Sequence, residues 1–463
     1  MQRQLILACL CVLGGILIQL SYGYFYTIGN MGPYIVDYMD YYNKTVNPNA
    51  IVWLTSVQIS FEAIAMPLGA WMHRKCPIRA VVAVGCLIHS GGIMLTFFTL
   101  KVGFLGVLFT YGLLQGFGMG FGYSVTISAA TVWFPKHKGL VVGLIVAGFG
   151  AGGILFTPIQ TKYINPENTK VDNVTQHFTD LELLNRVPIS FLVVAGIIVA
   201  IELIGIAMLN DKTKQSELDR EGRDKDEIRP EHGSTHQALR TLDFYLLWIS
   251  LGLSVIPVIS LSSLYKFVGR SFLNDDLFLA GVGMAASVCN SVGRIIWGMI
   301  CDRISFKIPL CLMLSSWAIL ICTFPYLVVL TGTPAKVVYV LWVSTMFFCL
   351  SGVFVLNPTA TNILFGSKNM AVNYGLIFTA FIFGSVLAAI VTTIPVRGNW
   401  INLFTAISVA CVFALFCVIW IVDHKVPSRL QFINFPVKLR ALWCQRVCRC
   451  CRVTSPEIVI ELP

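Results

Sequence analysis

Charge is what this chain has least of. Asp, Glu, Lys and Arg make up 12% of its 463 residues, where an ordinary soluble domain carries roughly a quarter. A chain so poor in charge, and 56% hydrophobic, cannot present the surface of a soluble protein and reads as a polytopic membrane protein. It also lacks a polar stretch large enough for a separate catalytic domain. The hydrophilic parts are a central break at 210–240 and a tail at 423–463. With no nucleotide-binding loop and no convincing metal cluster, an enzyme is the least favoured class. No cofactor, metal or nucleic-acid partner is expected. The 15 cysteines do not read as a disulfide framework, because none falls in a loop expected to face outside.

Apolar runs are abundant. Segments long enough to cross a bilayer, about 20 residues each, lie near 5–29, 51–72, 79–100, 104–130, 138–160 and 187–209, then 242–266, 277–300, 308–331, 335–358, 371–394 and 401–422. The expectation is an all-α fold of twelve transmembrane helices in two six-helix bundles. The bundles span 1–209 and 241–422, joined by a cytoplasmic linker at 210–240 and followed by a cytoplasmic tail. The first run is too long for a signal-peptide core and no small-x-small cleavage site follows it.

With the N-terminus inside, 23 of the 33 Lys and Arg residues fall in cytoplasmic segments and nine in external ones, so positive charge places both termini in the cytoplasm. The sequons at Asn43 and Asn173 then lie outside, which suits glycosylation in a eukaryotic secretory-pathway membrane, with the plasma membrane favoured. The mixed-charge linker reads as solvated and flexible. In the tail, Cys444, Cys448, Cys450 and Cys451 alternate with arginines beside Trp443, a pattern that suits a membrane-surface helix with S-palmitoylation.

The halves echo one another. Gly69-Ala-Trp-Met-His-Arg74 closes helix two, and Gly298-Met-Ile-Cys-Asp-Arg303 closes helix eight 229 residues later. Gly143-Leu-Ile and Gly375-Leu-Ile form a second pair 232 residues apart. Two landmarks at nearly equal offset argue for a six-plus-six duplication, whose halves meet around a midplane site.

The Gly-x-x-x-Asp-Arg turn resembles the loop signature of the major facilitator superfamily, well in GMICDRISFK and less well in GAWMHRKCPIR, where His73 replaces the aspartate. YGLLQGFGMGFGYS at 111–124, WFPKHKGLVVGLIVAGFGAGG at 133–153, TLDFYLLW at 241–248 and NYGLIFTA at 373–380 further resemble the oxalate/formate antiporter family, a neighbour of the monocarboxylate transporters. The resemblance implies alternating access by two rocking bundles, an organic-anion substrate and no covalent chemistry. It also implies that Tyr123 faces the substrate. In helix eleven the antiporters carry a lysine where this chain has Phe381, which removes the second cation a dicarboxylate would need and favours a monoanion.

Read without the family, Arg294 is the central residue. It lies eight residues before Asp302, roughly 12 Å up the helix from the turn at 1.5 Å per residue. Ionisable side chains inside a span are by default pathway or coupling residues. Asn290 and Ser287 share its face, a polar stripe able to hold a carboxylate beside the guanidinium. Glu62 and Glu202 are the other charges well inside spans. Burial disfavours a charged carboxylate, which makes Glu62 a candidate for proton coupling; the alternatives for Arg294 are a fixed pair with Glu62 or Glu202, or snorkelling to the loop. Tyr22 and Tyr26 are read as sharing a face of helix one, and Tyr26, Gln58 and Tyr123 as candidate pocket residues. His89 is assigned no role, and the glycine runs are read as close-packing surfaces.

The leading reading is a secondary transporter of a small organic anion, most favourably a monocarboxylate, with a proton as candidate co-substrate. The competing readings are a substrate sensor or scaffold on a transporter fold, and a carrier of a neutral or zwitterionic metabolite.

Overall fold

A computed structural model of the protein describes all residues except 1, 43, 45, 47–49, 135–136, 168, 170–177, 179, 211–234, 271, 274–275, 367–368, 394–399 and 424–463. Among the described residues, twelve helices are long and apolar enough to cross a membrane: α1 (Gln4–Tyr41), α2 (Ile51–His73), α3 (Ile78–Val102), α4 (Phe104–Thr131), α5 (Lys138–Ile164), α6 (Leu181–Met208), α7 (Leu242–Lys266), α8 (Gly281–Ile304), α9 (Lys307–Val329), α10 (Gly332–Phe365), α11 (Met370–Thr392) and α12 (Trp400–Trp420). Among the described residues there is no strand. The protein is therefore an integral membrane protein of two six-helix bundles. Its apolar surface follows from that setting: Leu87, Ile319, Phe383 and Phe413 are exposed, as side chains facing lipid should be.

Helix α1 is longer than its hydropathy predicts. The apolar run ends near residue 29, but the helix continues to Tyr41, with Pro33 inside it and Ile28, Met31, Ile35 and Met39 buried. Between the two parts, Gly23–Thr27 winds as a 3-10 turn. Such a turn repeats every three residues rather than 3.6, so residues four apart no longer lie above one another. Tyr22 and Tyr26 consequently diverge, contrary to their expected common face. Tyr22 packs edge-on against His89, whereas Tyr26 turns toward α8.

The bundles meet along α5 with α8 and along α2 with α11. Glycine makes the first seam close. A methyl group on Gly143 would stand 2.5 Å from the Arg294 carbonyl oxygen, and one on Gly298 would stand 2.3 Å from that of Gly139. No side chain fits there, so the two backbones touch and can slide on a smooth contact. Ser60 and Ser385, whose hydroxyls are 2.8 Å apart, join α2 to α11 on the second seam.

Candidate functional site

Arg294 is fully buried in α8, at the α5 seam that the glycines bring together. Its Nε donates to Asn290 Oδ1 one turn earlier at 3.1 Å, its Nη1 to the Val146 carbonyl of α5 at 2.8 Å, and its Nη2 to the Tyr26 hydroxyl of α1 at 2.9 Å. The guanidinium carbon lies 4.7 Å from the ring centre of Phe354 on α10 and 5.2 Å from that of Phe149 on α5. The cation is thus held by both bundles, against two ring faces whose negative quadrupoles attract it.

These rings belong to a continuous aromatic cage. Tyr123 sits 5.9 Å from both Phe149 and Phe378, centre to centre. Phe381 is 4.0 Å from Phe378 and 6.1 Å from Phe354, and Tyr374 is 5.7 Å from Phe378. Within this region the hydroxyls of Tyr123 and Tyr374 and the Nδ2 of Asn290 are buried without a hydrogen-bond partner. Unsatisfied buried polar groups are costly and call for an explanation; a polar ligand is one that satisfies all three.

No carboxylate pairs with Arg294 among the described residues. Glu62 is buried on α2. Its carboxylate makes no hydrogen bond or ion pair among the described residues, and Arg294 is the charge that acts on it across the site. Glu202 is engaged elsewhere: its Oε1 lies 2.8 Å from His89 Nδ1 and accepts from the Ser21 hydroxyl at 3.2 Å. Neither fixed pair weighed from the sequence is therefore formed.

The structure brings Arg294, Asn290, Tyr26, Tyr123 and Phe381 together. Ser287 shares the stripe but turns its hydroxyl back to the Gly283 carbonyl at 3.0 Å. Gln58 is not brought to the cage: its amide is bonded to Gln115 and to the Met119 sulfur, inside the N-terminal bundle. Sequence reasoning missed Val146, Phe149, Phe354 and Tyr374. Phe149 stands inside the GFGAGG run, a lone ring among glycines that was the available signal; Phe354, in an unbroken apolar run, gave none.

The loop-signature residues gather at one end of the molecule. Asp302 Oδ1 and Oδ2 accept from the backbone N–H groups of Gly139 and Leu140, each at 2.8 Å. A residue of the C-terminal bundle thereby caps the first turn of α5, where unpaired N–H groups and the helix dipole favour an anion. At the same end Arg74 Nη2 donates to Asn369 Oδ1 at 2.9 Å and Lys138 Nζ to Asn362 Oδ1 at 3.0 Å. Gly298 packs on Gly139 beside this cap, Gly69 packs on the Phe121 backbone of α4, and Arg303 is exposed. Asn43, Asn173, Cys444, Cys448, Cys450 and Cys451 lie outside the described residues.

A buried cation on a seam between two six-helix bundles, with a polar latch at one end, defines a membrane carrier fold. Residues 12–367 match the model of the Major Facilitator Superfamily, and the chain belongs to that family. It is 27% identical to apicoplast pyruvate carrier 1 of Toxoplasma gondii, covering 82% of this chain and 81% of that one. It is 26% identical to the oxalate:formate antiporter of Oxalobacter formigenes, covering 81% and 84%. Human monocarboxylate transporter 11 is 27% identical over 30% of this chain and 28% of its own. The crystal structure of the human organic anion transporter MFSD10 (TETRAN) has the same fold, with a TM-score of 0.57 at 13% identity, over 90% of this chain and 99% of that one.

Proposed function

We propose that the protein is a secondary active transporter of a small organic anion, a monocarboxylate above all, working by alternating access. The observation that carries this reading is Arg294: fully buried, held by both bundles, and without a carboxylate partner among the described residues. A buried charge left uncompensated is strongly unfavourable, and a substrate carboxylate supplies the missing anion. Two guanidinium N–H groups remain beyond the three engaged, which suits a planar carboxylate. The free Nδ2 of Asn290 and the hydroxyls of Tyr123 and Tyr374 are the polar groups at hand for its other atoms.

The size and charge of the substrate follow from the cage. Phe381 fills with hydrocarbon the corner where a second cation would serve a dicarboxylate, and its ring is packed between Phe354 and Phe378. A second carboxylate there would be buried unpaired. The relatives that carry pyruvate or bear the monocarboxylate name support the same class. Glu62 is the proton-carrying group: it faces Arg294 electrostatically, and a proton on it keeps the site neutral once the substrate has paired with the arginine.

Alternation uses the α5 seam. With Asp302 on the first turn of α5, the end bearing Arg74, Lys138 and Asp302 is closed; release of that cap opens it. The distribution of basic residues orients this end, and both termini, toward the cytoplasm. In this orientation Asn43 and Asn173 are glycosylated outside, the tail cysteines are acylated at the inner surface, and the plasma membrane is the site of action.

The test is uptake into proteoliposomes of labelled formate, lactate, pyruvate, oxalate, malate and amino acids, with and without a pH gradient. Monoanion uptake that Arg294→Ala abolishes is the expected result. Equal uptake by Arg294→Ala would overturn the assignment, and binding of an anion without uptake would identify a sensor instead.

A further inference from the structure

Outside the central site, two titratable side chains of the N-terminal bundle are enclosed together. His89 on α3 and Glu202 on α6 face each other with Nδ1 and Oε1 2.8 Å apart, their side chains 0% and 3% exposed. Ser21 on α1 donates to the same Oε1. Tyr22, the next residue, lies against the imidazole at 5.1 Å between ring centres and 78° between planes, and its hydroxyl contacts Cys86 Sγ at 3.8 Å. From α4 the backbone comes close, since a methyl group on Gly118 would stand 2.4 Å from the His89 backbone nitrogen. The titratable and charged groups around the imidazole are therefore Tyr22 from α1, Cys86 from its own helix and Glu202 from α6, with Glu62 of α2 acting on Tyr22 from farther off.

The chemistry of this pair is that of a proton site. A separation of 2.8 Å requires one proton between the two atoms, whichever of them carries it. With the proton on Nδ1 and Nε2 bare, the pair is a neutral imidazole beside a carboxylate and carries one negative charge; a second proton makes it neutral overall, the state that a membrane interior favours. The other ring nitrogen, His89 Nε2, is buried without any hydrogen-bond partner. It is a polar atom with a lone pair and nothing to bond, so it is the place for a second proton, which would turn the ring into an imidazolium held by Glu202.

The location gives such a proton a consequence. Tyr22 touches the imidazole and is the last residue before the 3-10 turn Gly23–Thr27. Tyr26, inside that turn, accepts from Arg294. Charge appearing on His89 acts on the ring of Tyr22 and on the segment that positions the arginine's phenolic partner.

We propose that His89 and Glu202 form a second proton-binding site, within the N-terminal bundle, that acts on Arg294 through residues 22–26 of α1. The proton comes from water on the side to which the bundles open and returns to water on release. The coupling to Arg294 rests on the transport reading above; the proton site itself does not.

Two measurements test it. The first is nitrogen-15 magnetic resonance of the full-length protein with labelled histidine, titrated from about pH 8 to about pH 5.5, the span in which imidazoles change charge. His89→Gln identifies the resonances by their loss, and if that variant does not fold, Glu202→Gln identifies them by their displacement. Conversion of Nε2 from a bare to a protonated nitrogen is expected; a His89 signal unchanged across the range overturns the site. The second is lactate uptake as a function of pH. The wild type is expected to gain up to about tenfold per pH unit for each proton bound, one on Glu62 and one on this pair, and in Glu202→Gln the gain falls to that of Glu62 alone. A wild-type gain in a Glu202→Gln protein that still transports overturns the coupling. If the wild type carries no anion at all, it is the transport reading that fails, and the magnetic resonance result alone decides the proton site.

Discussion

Replacing Arg294 with Met separates a substrate-binding arginine from a structural one, because the two roles give opposite signs in stability. In a structural ion pair, removing one partner strands the other, at about 3–5 kcal/mol. Here no carboxylate lies within ion-pair distance of Arg294 among the described residues. What is lost is the donor to three acceptors. The Val146 carbonyl lies inside α5 and keeps its place in the helix ladder, and the Tyr26 hydroxyl can still donate elsewhere. Asn290 Oδ1 alone is left as a buried orphan, at about 1–3 kcal/mol. Against this stands the relief of burying a guanidinium, several kcal/mol per ion even after relaxation, with a flexible thioether of similar length now packing on Phe149 and Phe354. The balance is near zero or favourable to the variant. We therefore expect Arg294→Met to melt in detergent at or above the wild-type temperature while losing monoanion uptake. Uptake is the sensitive half: losing a charge-assisted bond of about 1.5–3 kcal/mol lowers affinity by roughly 10- to 150-fold, each 1.4 kcal/mol being tenfold, and two such bonds take it beyond detection. A folded Arg294→Met protein with the wild-type KM would refute the assignment. A fall in stability as large as that of a broken ion pair would show that Arg294 holds the bundles together.

Three further outcomes follow from the same geometry. Phe381→Lys places an ammonium beside Phe354 and Phe378; the ratio of oxalate to lactate uptake should rise at least about tenfold, one charge-assisted bond's worth, and an unchanged ratio in a well-folded variant counts against the role given to Phe381. Glu62→Gln removes the carboxylate facing Arg294 but keeps its volume, so stimulation of uptake by an inward proton gradient should fall to that of the His89–Glu202 pair alone; undiminished stimulation would move coupling to another group. Asp302→Asn keeps one acceptor for the first turn of α5 but loses the anion, a change of about 0.5–2 kcal/mol at a helix N-terminus. It should raise the rate at which a thiol reagent added from that side modifies a cysteine introduced beside the cap, and equal labelling in wild type and variant would show that this cap does not hold the end closed.

The uneven legibility of the sequence has a physical cause. Spans are set by the length and polarity of one continuous segment, so hydropathy located the twelve helices, and the exceptions are instructive. Past residue 29 in α1, Asn30, Pro33 and Asp37 lower the hydropathy, yet Ile28, Met31, Ile35 and Met39 keep one face buried and the helix runs on. The bond from Arg294 to Asn290 was legible for the same local reason, being one turn of a single helix. The rest of the site depends on how helices are rotated against one another. A five-residue change of winding at Gly23–Thr27 sends Tyr26 to Arg294 and Tyr22 to His89, and hydropathy does not register it. His89 meets Glu202 across 113 residues of chain, a pairing that no local pattern announces. The arginine's surroundings nevertheless follow from one sequence feature, the glycines of α5. Because Gly143 lets α5 touch the Arg294 backbone, the Val146 carbonyl and Phe149 ring, one and two turns further along, arrive at the guanidinium. Gly143 stands outside the glycine runs read as close packing, yet it sets half of the arginine's surroundings, and any side chain there should displace both contacts together.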